Sequence, residues 1–115
     1  MRVYDFGWVN TPKGWGDRRE GAMRLQLHST DPDLLERRLG TAQSKGCIRI
    51  PAGMNLFIDR YGILDAHYER AIAAGRSFWV LSLLREPTPW PGQYLVVVDT
   101  ARQTRPPWSP QPRSR

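Results

Sequence analysis

Residues 22–28, Ala-Met-Arg-Leu-Gln-Leu-His, alternate apolar and polar side chains without a break. A β-strand turns successive side chains to opposite faces, so this run has one way to bury its apolar set. Met23, Leu25 and Leu27 point to one face; Arg24, Gln26 and His28 point to the other. The pattern returns at 47–50, where Ile48 and Ile50 share a face and Cys47 and Arg49 share the opposite one. If the two strands pair in matching register, the chain's single cysteine and His28 lie on one polar surface. A slip of one residue in either strand separates them.

The remaining segments are short. Ten prolines and ten glycines in 115 residues favour brief elements and many turns over a helical bundle. With 40% apolar residues the chain supports one modest core. Residues 2–9 read as a strand interrupted by Gly7, with Val3, Phe6 and Trp8 among its apolar positions. Residues 10–21 read as a glycine-rich loop around Trp15, either a flap over a site or a solvated connection. Thr30 or Asp31 with Pro32 signals a helix start, and Leu34, Leu35 and Leu39 before Gly40 describe about two turns.

After Pro51, residues 52–61 and 65–74 carry helical stripes, each closed by a glycine. Met54, Phe57, Ile58 and Tyr61 form the first stripe and Leu64, Tyr68, Ala71 and Ile72 the second; both read as core packing. Residues 77–84 read as a buried strand and 94–98 as a last strand. The fold class is therefore mainly β with short helices: one domain over residues 1–100, then a Pro/Arg-rich disordered tail over 101–115.

A formal net charge of +6 suits an anionic partner. Arg102, Arg105, Arg113 and Arg115 in the tail supply part of that excess, and no nucleic-acid-binding motif is present, so nucleic acid is not the expected partner. No apolar run reaches membrane-spanning length and none near Met1 has secretory form, so the chain as written reads as cytoplasmic. One cysteine excludes an internal disulfide framework. Cys47 and His28 alone do not make a zinc site, and His67, off its helix stripe, lacks supporting spacing. No cofactor and no metal are expected.

The loop ahead of Cys47 concentrates the chemistry: Ser44-Lys45-Gly46-Cys47-Ile48-Arg49. A thiol, a distant imidazole and a glycine beside the thiol suffice for thiolate acyl transfer. Taken alone, His28 is an ordinary surface residue at a strand end; the pair gives it meaning. Fifteen residues separate His28 from Ser44, and this spacing together with the cysteine motif resembles the L,D-transpeptidase catalytic domain. The resemblance covers roughly residues 22–84.

That resemblance implies a β-sandwich-like fold and a role in cross-linking or remodelling bacterial peptidoglycan in the periplasm or cell envelope. It implies Cys47 as nucleophile, His28 as general base, and backbone N–H groups around Gly46 and Cys47 as oxyanion hole. Ser44 would fix the loop or the imidazole; Arg49 would hold the loop or a substrate carboxylate. The partners implied are peptidoglycan stem peptides, met by a monomer. Two features depart from the family. Lys45 stands where a His is usual, and can either stabilise the thiolate or mark a different substrate. Only 27 residues precede His28, fewer than the family's sheet uses, so the domain is expected to be N-terminally short or truncated. The competing expectation is a catalytically degenerate domain that binds cell wall or a partner.

Overall fold

A computed structural model describes residues 1–41 and 44–98 together with Ala101, Thr104 and Pro107. Its contacts divide the chain into two compact units, Met1–Asp59 and Arg60–Arg115. Apart from those three residues, the tail expected to be disordered lies outside the described residues.

The first unit is a three-stranded mixed sheet, ordered β1 (Tyr4–Pro12), β2 (Glu20–Ser29), β3 (Ile48–Ile50). β1 and β2 are antiparallel, joined by the loop 13–19, so the glycine-rich segment is shorter than expected and its flanks belong to the strands. β2 and β3 are parallel, with Leu27 opposite Ile48, His28 opposite Arg49 and Ser29 opposite Ile50. Leu27 is fully buried, as the alternation requires, and Tyr4 pairs with it from β1. The alternation of β1 breaks between Asp5 and Trp8, where a bulge centred on Gly7 shifts the register. Gly7 has φ +86°, a conformation that disfavours any residue with a Cβ.

The crossover from β2 to β3 contains less helix than the sequence suggests. Asp31 accepts hydrogen bonds from the Asp33 and Leu34 N–H groups at 2.9 and 2.6 Å, as a capping residue does. Among the described residues a single 3₁₀ turn, Glu36–Arg38, follows, and Leu34 is exposed. Glu36 is used differently: its Oε1 accepts from the Ala52 N–H at 2.7 Å, an acidic group at the first turn of α1 (Ala52–Arg60).

The side of α1 that is buried is not the expected one. Met54 and Phe57 are half exposed, whereas Asn55 is wholly buried. Asn55 accepts from the Arg2 N–H and donates to the Arg2 carbonyl, both at 2.8 Å, mimicking one rung of a strand ladder. Asp59, one turn on, holds the Arg2 guanidinium at 2.7 Å. Two polar clips therefore hold this helix, and of the expected stripe Met54 and Phe57 are exposed while Ile58 and Tyr61 are half-buried.

The second unit is built around α2 (Ala66–Ala73). Its end is closed by Arg76, whose N–H donates to the Ala71 carbonyl at 3.0 Å. Ala66 and Asp65 are buried; Leu64, Tyr68 and Ala71 are half-buried, and Ile72 is more exposed. Tyr68 meets Phe78 edge to face with ring centres 4.9 Å apart. Arg85 pairs with Glu69 and lies 3.6 Å from buried Asp65.

The two late strands expected from the sequence do not form. Residues 77–84 contain turns, and Trp79, Leu83 and Leu84 are almost fully exposed. Residues 94–98 enter no ladder, and Tyr94, Val96, Val97 and Val98 are exposed. A strand of continuous apolar residues needs neighbours on its edges and cover on both faces. Neither segment has them among the described residues.

The architecture is thus a small mixed sheet with two short helices, within the mainly-β class expected.

Candidate active site

The polar face of the sheet is fixed by register. Asp5 sits opposite Gln26 and Trp8 opposite Arg24 on one side of β2, and Arg49 sits opposite His28 on the other. Directly paired residues share a face. Cys47 precedes Arg49 by two positions and lies just before β3; continued alternation would put it on that face. The observed register puts His28 opposite Arg49, with Cys47 immediately before the ladder. The thiol is free and half-buried.

His28 is oriented by its neighbour. Its Nδ1 lies 2.8 Å from the Ser29 carbonyl oxygen. A carbonyl only accepts, so Nδ1 carries the proton and, in the neutral ring, Nε2 is left as the acceptor. That is the tautomer a general base requires. No hydrogen bond joins His28 to Cys47 among the described residues.

The loop before Cys47 is held from both ends. The Ser44 hydroxyl donates to the Cys47 carbonyl, closing the loop on itself. Gly46 has φ +124°, and a Cβ there would touch Leu25 and Met23 at 3.6–3.7 Å. Gly46 therefore lies against the apolar face. No loop hydrogen bond from the Gly46 or Cys47 N–H to another backbone group occurs among the described residues.

Lys45 is exposed, and its Nζ lies 5.9 Å from the centre of the Trp15 ring, at the outer limit of a cation–π contact. The ammonium is thus engaged with the β1–β2 loop, and Trp15 stands beside the cysteine loop. Arg49 is half-buried, with no ion pair or hydrogen bond among the described residues, so nothing there assigns it to holding the loop.

Sequence reasoning missed Asp5. Its Oδ2 accepts from Arg24 Nε at 2.7 Å and from Gln26 at 3.3 Å, and its Oδ1 from the Gly7 N–H at 2.9 Å. The Arg24 hydrogen bond, then the Gly7 N–H, hold the Asp5 carboxyl below its ordinary value of 3.8. Arg24 is raised in return. The Asp5–Gly7 spacing was visible in the sequence; the pairing of Asp5 with Arg24 needed the register.

No cluster of three potential metal ligands occurs among the described residues, and no helix among them is long and apolar enough to cross a membrane. No protein-family model matches the chain, and no curated protein matches it.

Proposed function

We propose that this chain is a cysteine acyltransferase of the L,D-transpeptidase type, acting on peptidoglycan stem peptides. The observation that supports this reading is the parallel β2–β3 register, in which His28 lies opposite Arg49, two positions after Cys47, with His28 Nδ1 held at the Ser29 carbonyl. The motif Ser44-Lys45-Gly46-Cys47-Ile48-Arg49 and its spacing from His28 add the resemblance described above.

In the proposed reaction His28 Nε2 takes the Cys47 thiol proton as Sγ attacks the carbonyl of the third stem residue. The Gly46 and Cys47 N–H groups receive the developing oxyanion. The carbon–nitrogen bond to the terminal D-alanine breaks, His28 returns its proton to the departing amine, and a thioester on Cys47 remains. An acceptor amine attacks the thioester, Nε2 takes the proton from its nitrogen, and the thiol is released with a new amide formed. Arg49, beside His28, is suited to the free carboxylate of the stem.

The test is turnover of a disaccharide tetrapeptide in the presence of an amine acceptor. Release of D-alanine with formation of the amide product, absent in Cys47→Ser, supports the reading. A folded protein that releases no D-alanine contradicts it. The second reading is a wall-binding domain without catalysis; the lack of a hydrogen bond between His28 and Cys47 favours it. Catalytic hydrogen bonds are often long before substrate binds, so that observation carries less weight.

A further inference from the structure

The bulge in β1 has a consequence for Trp8. With unbroken alternation from Asp5, Trp8 would fall on the face of Leu27 and Ile48. The extra residue at Gly7 turns it onto the polar face, opposite Arg24, where the indole is 67% exposed. Bulges re-aim side chains in this way beside functional sites. The bulge is also pinned, because Asp5 accepts from Gly7 N–H, Arg24 and Gln26 together. The sheet thus presents one flat aromatic ring next to a hydrogen-bonded row of carboxylate, guanidinium and carboxamide. Trp8 has no ring or cation partner among the described residues.

We infer that Trp8, with Asp5, Arg24 and Gln26, forms a platform for a sugar ring. The partner is an N-acetylated glycan chain, a choice that rests on the peptidoglycan reading of the neighbouring thiol. A pyranose has one apolar C–H face and a rim of hydroxyl and amide groups. The C–H face suits an indole, and the rim suits planar side chains that donate and accept in pairs. A protein partner would call for apolar surface around the ring, and charged groups stand there instead. Strands lie about 4.8 Å apart, so β1 and β3 are separated by about 10 Å. A glycan on Trp8 therefore leaves its attached peptide within reach of Cys47.

The experiment titrates the full chain with a β-1,4-linked N-acetylglucosamine tetramer, which carries no stem peptide, while the indole N–H resonances are followed by NMR. Saturable shifts led by the Trp8 indole, assigned by its loss in Trp8→Phe, are expected. Trp8→Ala should weaken binding about tenfold, and Trp79→Ala, at a site outside the sheet, should not. Absence of saturable shifts, shifts led by another indole, or equal affinity in a folded Trp8→Ala overturns the inference. Because the probe contains no scissile bond, the two proposals fail separately. D-alanine release without sugar binding removes the platform alone, and sugar binding without release removes the acyl transfer alone.

Discussion

At the residue scale, conformation and charge decide more than size. Gly46 has room for a methyl group, with its nearest neighbours at 3.6 Å, yet its φ of +124° does not suit an L side chain. Gly46→Ala should therefore cost about 1–3 kcal/mol through backbone strain, read as a lower urea midpoint, and should slow Cys47 acylation by moving the loop. Asp5 makes a pH prediction. Its folded value is depressed, so its contribution is complete above the ordinary value of 3.8 and fades as pH falls through the lowered one. Asp5→Asn should be less stable than wild type at pH 6, and the two should converge below that lowered value; an equal gap at both pH values contradicts the role given to Asp5. The sequence showed only Gly7 as an interruption, since alternation records that a pattern breaks and not where the next side chain is sent.

At the scale of elements, the three strands of the sheet were legible and the helix contacts were not. The period of two in 22–28 leaves one choice of face, and Leu27 is buried as that choice demands. The orientation of α1 depends on Asn55 meeting the backbone of Arg2, 53 positions away, and no local pattern announces such a pair. Asn55→Ala leaves two part-buried backbone groups of Arg2 without their partner and should cost about 1–3 kcal/mol in urea unfolding; a loss below about half a kcal/mol would show that this clip does not hold the helix. In the second unit, Arg85→Met leaves Asp65 buried beside Glu69 without its cation, and should cost about 3 kcal/mol. Segments 77–84 and 94–98 were misread because hydrophobicity says that a segment wants partners and is silent about whether they exist.

At the scale of the molecule, a small sheet carries the candidate chemistry on one face while much apolar surface stays open, including Trp79, Leu83, Leu84 and Val96. The candidate site was partly visible beforehand: alternation put His28 and Arg49 on one face, as their pairing shows, whereas Asp5 and the re-aimed Trp8 came from register. The central claim is that Cys47 and His28 work as a pair. The most direct measurement is acylation of the intact protein by a carbapenem-type β-lactam, followed by mass spectrometry, in wild type and His28→Ala. The account predicts a stable single adduct on Cys47 in wild type and a rate lower by at least about 100-fold without the imidazole. No adduct on folded wild-type protein, or equal rates in the two proteins, would contradict it.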